Sequence, residues 1–111
     1  MKYAMVILRD EEEWQPLNPE QLDFELTAGW WAGLKGKVTA SARLGSRDQS
    51  TTVTWRGEQP VVTDGPYVEA KETVGGIVVV DVDSAREAVE LATTFPNRVG
   101  IRIEVRPILE G

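Results

Sequence analysis

One stretch of nine residues concentrates side chains that can titrate or form hydrogen bonds. It reads Asp64-Gly65-Pro66-Tyr67-Val68-Glu69-Ala70-Lys71-Glu72 and lies between two predicted strands. A carboxylate in a cleft can act as a general acid or base, and a lysine beside two carboxylates can have its pKa shifted. Loops held by a rigid sheet often carry such groups. The stretch therefore predicts catalytic roles for Asp64, Tyr67, Lys71 and Glu72. The alternative is a plain turn with solvated side chains.

The last predicted strand, Ile101–Arg106, has a charged side and an apolar side. Arg102, Glu104 and Arg106 alternate with apolar residues and share one side. If that side lies between two sheets, its ions need partners. Glu104 could then pair with either arginine, and an unpaired arginine could hold an anionic ligand. Both readings, ion pairing and ligand binding, are open at this point.

Two adjacent tryptophans must face different sides of a helix. Trp30 fits an apolar stripe that recurs every four residues, and Trp31 does not. Tryptophan is favoured in clefts and at subunit contacts. Trp31 is therefore a candidate ligand-binding residue, with ordinary packing at the helix edge as the alternative.

Composition excludes several classes of chemistry. The chain of 111 residues contains no cysteine and no histidine. Disulfides, Cys/His zinc sites, Ser-His-Asp triads and a histidine base are therefore impossible. The run Glu11-Glu12-Glu13 lacks the spacing of a calcium loop, so we assign no metal and no cofactor.

The charge distribution bears on possible partners. The chain has 18 acidic and 12 basic residues, for a net charge of −6, which argues against binding nucleic acid. Residues 10–34 carry seven acids and no base, whereas residues 35–57 carry five bases and one acid. The two regions could neutralise one another or form an interaction surface. The short apolar N-terminus predicts neither a membrane span nor a signal peptide, and a cytoplasmic location follows.

The element pattern predicts a single α+β domain over residues 1–111. Strands are expected at Lys2–Leu8, Val38–Leu44, Thr51–Arg56, Pro60–Thr63, Ile77–Val82 and Ile101–Arg106. One helix starts at Asn18-Pro19 and ends at Gly33 and Gly36; the other starts at the capping box Ser84–Glu87. This order fits a ferredoxin-like sandwich with an extra β-hairpin.

Apolar stripes indicate which helix faces are buried. The first helix should bury Leu22, Leu26, Trp30 and Leu34. The second should bury Ala85, Ala88, Val89, Ala92 and Phe95. Both sides of the strand at Ile77–Val82 are apolar, although the helices cover only one face of such a sheet. A second copy in a two-fold dimer is the simplest cover for the other face.

The motif and both chain ends resemble one known family. Asp64-Gly65-Pro66-Tyr67, then Glu69, Lys71-Glu72 and Gly75-Gly76, resemble the signature of the YCII-related or DGPF-domain family. Tyr67 stands where the family usually has Phe, and Ala70 where it usually has Thr. The opening Met1-Lys2-Tyr3 with Asp10-Glu11, and the closing Glu104-Val105-Arg106-Pro107, are also similar.

The resemblance implies a dimeric α/β barrel with one cleft per subunit. Related branches are thought to use a His–Asp pair, which this chain cannot supply. Two functions remain open, and the sequence does not decide whether the protein is an enzyme. It could be an acid–base enzyme acting on a small organic molecule, such as a lyase, isomerase or cyclase. Alternatively, it could be a non-catalytic accessory homodimer, for example one associated with an extracytoplasmic-function sigma factor.

Overall fold

The computed structural model describes residues 1–10, 28–66, 72–96 and 100–110. The strands are β1 (Lys2–Asp10), β2 (Val38–Arg43), β3 (Thr51–Arg56), β4 (Gln59–Asp64), β5 (Glu72–Asp81) and β6 (Ile101–Pro107). Helix α1 comprises residues 28–33, and helix α2 comprises Ala85–Thr93. The predicted α+β class and the order of the strands are confirmed.

Four strands form one antiparallel sheet in the order β2-β5-β1-β6. The first strand of the chain is therefore central, between β5 and β6, and each of its neighbours runs antiparallel to it. This arrangement is consistent with the ferredoxin-like sandwich. β3 and β4 pair only with one another among the described strands, as the extra hairpin.

The core lies between the sheet and the two helices. Met5, Leu34 and Val80 are fully buried there. Trp30 is 3% exposed, and its indole Nε1 donates a hydrogen bond to the Leu91 carbonyl of α2 at 3.0 Å. A buried indole needs such a partner, so this bond helps fix α1 against α2. Both helices therefore cover the same face of the sheet.

Helix α2 begins as predicted, but its buried face is shifted. The Ser84 hydroxyl accepts a hydrogen bond from the Glu87 backbone N–H at 3.2 Å. The Glu87 carboxylate accepts one from the Asp83 N–H at 3.1 Å. The prediction that Ala85 and Val89 are buried is wrong, because the helix turns both toward solvent.

The remaining helix predictions have mixed outcomes. In α2, Ala88 is buried, and Leu91, Ala92 and Phe95 pack against the core. Of the first stripe, Trp30 and Leu34 are buried as expected. The predicted cap at Asn18 and the residues Leu22 and Leu26 lie outside the described residues. Among the described helices, none is long and apolar enough to cross a membrane.

The sheet face opposite the helices, here called the open face, is largely apolar. Register places Val6 of β1 beside Ile77 of β5, and Ala4 beside Val79. β2 adds Ala40 and Ala42 to the same face. Ile77 is 36% exposed, and no described element covers it.

Strand β5 begins earlier than predicted. The sequence predicts a strand at Ile77–Val82, but β5 starts at Glu72, so Gly75 and Gly76 lie inside it. Ile7 pairs with Gly76 and Leu8 pairs with Val74, so Gly75 is the extra residue of a β-bulge. The bulge places Val74 and Glu72 on the open face, while Thr73 lies on the helix side with Arg9.

The β3–β4 hairpin exposes apolar residues to solvent. Val53 pairs with Val62, and Trp55 pairs with Pro60, on one side of the hairpin. Trp55 is 68% exposed and Val62 is 66% exposed. A two-stranded hairpin without a packed face is at best marginally stable by itself. The hydrogen bonds at the base of the hairpin therefore help to hold it in position.

Candidate functional site

A cleft of about 470 Å³ opens at the base of the hairpin, where β1 and β2 end and β5 begins. This volume lies within the range typical of small-molecule sites. The cleft is lined by Arg9, Leu44, Gly45, Ser46, Arg47, Gln49, Ser50, Thr52, Pro66, Thr73 and Val74.

Backbone hydrogen bonds tie both walls of the cleft to the sheet and the hairpin. The Leu44 N–H donates to the Gly75 carbonyl at 3.0 Å, and the Gly65 N–H donates to the Ser50 carbonyl at 2.8 Å. The Thr52 hydroxyl donates to the Gly65 carbonyl at 2.7 Å. Gly65 has a φ of +96°, a conformation that favours glycine in a turn. These hydrogen bonds therefore fix the backbone segments that form the cleft walls.

The loop from Gly45 to Ser50 is closed by its own side chains. The Gln49 amide oxygen accepts a hydrogen bond from the Ser46 N–H at 3.1 Å. A Cβ on Gly45 would come within 2.5 Å of that oxygen, so a larger residue there would require the Gln49 side chain to shift. The Ser50 hydroxyl donates to the Arg47 carbonyl at 2.5 Å. These contacts fix the short 3-10 turn of Arg47–Gln49 at the cleft wall.

The guanidinium of Arg9 lies over Gly75 at the bulge. A Cβ on Gly75 would lie 2.8 Å from Arg9 Cζ and 3.0 Å from its Nη2, and closer still to Nε. The missing side chain at position 75 is therefore what allows Arg9 to occupy this place. Gly75 therefore has two roles: it is the extra residue of the bulge, and its lack of a side chain leaves space for the Arg9 guanidinium.

The described lining of the cleft carries positive charge. Arg9 and Arg47 line it, and no Asp or Glu is among its described lining residues. Arg47 is half-buried. Within the described part of the chain, its guanidinium forms no hydrogen bond or ion pair. In an acidic protein, the charged side chains in the described lining of this cleft are of opposite sign to the net charge of the chain.

The predicted catalytic stretch borders the cleft at both of its ends. Pro66 lines the cleft two residues after Asp64, and Thr73 lines it directly after Glu72. Asp64 ends β4, pairs with Thr51 and is exposed. Tyr67 and Lys71 lie outside the described residues. The structure thus places the stretch beside a cleft without placing a described carboxylate in its wall.

Glu72 and the charged side of β6 form ion pairs on the open face. Arg102 Nη2 lies 2.5 Å from Glu72 Oε1, and Arg106 Nη2 lies 2.6 Å from Glu104 Oε1. The expected pairing of Glu104 with a neighbouring arginine is confirmed. Arg102 instead reaches diagonally across β1 to β5, a contact that the sequence did not indicate. None of these four residues lines the cleft.

Trp31 lies at the surface of α1 and is not among the described residues that line the cleft. It is 38% exposed, and its ring meets the Trp30 ring edge to face at a centroid distance of 5.1 Å. The ring contact shows that Trp31 packs against Trp30, and a ligand-binding role for Trp31 stays a prediction.

Two carboxyl groups, those of Glu87 and Asp81, have lowered pKa values, and both make contacts that hold the fold together. The pKa of Glu87 lies below its usual range, mainly because the carboxylate accepts a hydrogen bond from the Asp83 backbone N–H. A hydrogen bond from Lys37 Nζ to Glu87 Oε1, at 3.2 Å, lowers this pKa further. A hydrogen bond from the Met1 ammonium at 2.9 Å, followed by charge attraction, lowers the pKa of Asp81. Both pairs lie toward the end of the sheet remote from the cleft. In the described chain, no cluster of three potential metal ligands occurs.

Sequence reasoning missed the residues that build the cleft. Arg47 belongs to the basic region of residues 35–57, which was noted only as a region of charge. Arg9 directly follows an apolar run, and no local pattern marks it as a site residue. The pair Gly75-Gly76 was the available signal, since a glycine pair within a strand often marks a bulge or a close approach.

Comparison with known proteins agrees with the motif at the edge of the cleft. The family model for the YCII-related domain matches residues 1–110. The chain belongs to the YCII-related family. It is also similar to an uncharacterized protein of Rhizobium meliloti (strain 1021). The two are 29% identical over 101 residues, covering 87% of this chain and 82% of that protein. The family assignment made from the motif is thereby confirmed.

Proposed function

We propose that this YCII-related protein binds a small organic molecule in the cleft at the base of the hairpin. The single observation that carries the proposal is the cleft itself. It has the volume of a ligand site, a hydrogen-bonded loop as one wall, and both ends of the family motif at its edge. Apolar contact from Leu44, Pro66 and Val74 beside polar groups is the usual make-up of such a site.

Ligand binding accounts for the described geometry better than turnover does. The described cleft wall offers guanidinium, amide and hydroxyl groups, which hold and orient a ligand. Two hydroxyl protons, those of Ser50 and Thr52, are already donated to backbone carbonyls. Glu72 forms an ion pair with Arg102 and is not among the described residues that line the cleft.

A catalytic function is the second candidate, and the position of Asp64 favours it. Asp64 is exposed and stands two residues from the cleft wall. In this role it would act as a general base toward a bound substrate, in elimination, isomerisation or cyclisation. Asp64→Asn should then abolish turnover while leaving both ligand affinity and melting temperature unchanged. A variant that keeps full turnover contradicts a catalytic role for Asp64.

We also propose that the protein acts as a cytoplasmic homodimer joined through the open face. Val6, Ile77 and Val79 form a continuous apolar area that no described helix covers. Apolar sheet faces of this kind are normally buried. Two-fold symmetry would bring this area against its own copy, with the ion pairs of β6 at its edge. An accessory or regulatory role would use the same dimer without chemistry.

The ligand proposal can be tested by blocking the cleft. A fragment collection is screened against the wild-type chain by saturation-transfer NMR, and amide shifts locate the binding site. Leu44→Trp should fill the cleft and abolish binding. Leu109→Trp is the matched control, since Leu109 is 92% exposed and follows β6 at the other end of the sheet. Binding that survives Leu44→Trp, or shifts that avoid the cleft, would refute the proposal.

The dimer can be tested by placing a charge on the open face. Light scattering after size exclusion should give a dimer for the wild type and a monomer for Ile77→Glu, because the interface would bury an unpaired charge. Val89→Glu is the control, as Val89 is exposed on α2, across the sheet. A monomeric wild type, or a dimeric Ile77→Glu variant, contradicts the interface.

A further inference from the structure

The cleft combines two cations with an overall acidic chain, and this sets the chemistry of what it can hold. Arg9 and Arg47 line it, and the described lining contains no carboxylate. The net charge of −6 would by itself repel an anion from most of the surface. The described lining, with Arg47 in it, therefore favours a ligand of negative charge over a ligand of positive charge.

Arg47 differs from the other cations whose contacts are described. Lys37, Arg86, Arg102 and Arg106 each lie within 3.2 Å of a carboxylate oxygen. The Arg47 guanidinium has no such partner in the described part of the chain, although the residue is half-buried. A guanidinium that keeps its donors open can pair with a ligand carboxylate or phosphate through two parallel hydrogen bonds.

The neighbours of Arg47 fit an acceptor group rather than a donor group. The Gln49 amide oxygen is occupied by the Ser46 N–H, which leaves the Gln49 NH₂ as a donor at the same wall. The Ser50 hydroxyl donates a hydrogen bond to the backbone carbonyl oxygen of Arg47 and so fixes the backbone at that residue. Arg9 is held over Gly75 and adds a second positive charge to the cleft. Arg47 and Gln49 therefore offer hydrogen-bond donors to one occupant, and Arg9 adds positive charge nearby.

We propose that the ligand is a small organic anion whose carboxylate or phosphate is bound by Arg47, with Gln49 and Arg9 alongside. This inference rests on the proposed ligand-binding function of the cleft and specifies its ligand class. The apolar part of such a ligand would contact Leu44, Pro66 and Val74, which line the same cleft.

The test measures the affinity of the full-length chain for four probes that differ only in the head group or the body. The probes are benzoate, phenyl phosphate, the neutral benzamide and inorganic phosphate, measured by NMR titration. We expect benzoate or phenyl phosphate to bind in the cleft, to weaken with added salt, and to bind more tightly than benzamide and inorganic phosphate. Comparison of the first two distinguishes a carboxylate site from a phosphate site.

Variants assign the effect to Arg47. Arg47→Gln should weaken binding of the anionic probe by roughly 10- to 100-fold, the range for a lost charged hydrogen bond. Arg47→Lys should recover only part of it, because lysine keeps the charge without the paired geometry. Arg56→Gln, on the exposed hairpin, is the matched control and should leave affinity unchanged.

The outcomes separate this inference from the proposed function. If benzamide binds the cleft as well as benzoate, or if Arg47→Gln has no effect, the anionic class is refuted while the cleft remains a ligand site. The anionic class is also refuted if the anionic probes do not bind while other fragments bind the wild type and lose binding in Leu44→Trp. Binding of inorganic phosphate alone would refute an organic ligand. If no compound of any class binds the cleft, both proposals fail.

Discussion

The contact between Arg9 and Gly75 predicts that Gly75→Ala destabilises the wild type but stabilises the Arg9→Ala variant. We consider Gly75→Ala in two backgrounds, the wild type and Arg9→Ala. In the wild type the new Cβ would lie 2.8 Å from Arg9 Cζ, well inside ordinary contact distance. The guanidinium would have to leave its place over the bulge and lose the interactions that it makes there.

The expected magnitude follows from two opposing terms. Adding a methyl group to a filled site destabilises a protein by about 1–3 kcal/mol. Replacing glycine by alanine also restricts the unfolded chain, which stabilises by about 0.4–1 kcal/mol where the backbone permits. Gly75 is not among the glycines of positive φ, so its backbone accepts alanine. Net destabilisation of roughly 0.5–2 kcal/mol is therefore expected in the wild type.

In the Arg9→Ala background only the second term remains. Gly75→Ala should there stabilise the fold by about 0.4–1 kcal/mol. The interaction energy of the double-mutant cycle should accordingly reach about 1–3 kcal/mol. For a domain of this size, 1 kcal/mol corresponds to a shift of roughly 4 °C in melting temperature.

The assay is urea unfolding followed by tryptophan fluorescence, at one protein concentration for all four chains. Gly76→Ala is the matched control. Its Cβ would approach the Ala42 carbonyl at 3.2 Å and Ile7 at 3.9 Å, and not Arg9. Its effect should be the same in both backgrounds to within about 0.5 kcal/mol. Equal destabilisation by Gly75→Ala with and without Arg9 would refute the reasoning about the bulge.

Three further predictions concern the framework. Ser84→Ala should destabilise the fold by about 1 kcal/mol, because it removes the hydroxyl that caps α2; calorimetry of this variant beside Ser41→Ala, on exposed β2, measures this, and equal melting temperatures would contradict it. The pKa of Glu87 is lowered in the folded state, so its contribution to stability is present above the unfolded value of about 4.3 and is lost as the pH falls below it. Glu87→Gln should consequently flatten the loss of stability on acidification between about pH 5 and pH 3, and an unchanged slope would show that the group contributes nothing. Amide hydrogens of the β3–β4 hairpin should exchange much faster than those of β1 and β5, since the hairpin lacks a packed face; hydrogen exchange by mass spectrometry tests this, and equal protection would indicate that a partner covers the hairpin.

Alternation and capping were sufficient to predict most of the described elements of this fold. The strands β1 to β4 and β6, the cap at Ser84 and the buried Trp30 and Leu34 all follow from local patterns. The apolar character of both sides of β5 indicated a central strand with one face left open. These features are readable because period and capping depend on neighbouring residues.

The predicted site was only partly located by the same reasoning. Described residues at the two ends of the stretch from Asp64 to Glu72 border the cleft, and the catalytic roles of the stretch stay a prediction. Yet Glu72 turns to Arg102, since the bulge at Gly75 places it on the open face. The face on which a side chain lies depends on strand register, and a single extra residue reverses it.

The sequence by itself determined the kinds of chemistry available to this protein, because it contains no histidine or cysteine and carries a net charge of −6. It also determined the order of strands and helices. Only the tertiary structure decided that Arg9, Arg47 and Thr73 meet around one cleft. They come from a strand, a loop and another strand that are far apart in the chain. Pairing of β1 with β5 and the bonds at the hairpin base bring them together, and no local pattern encodes those contacts.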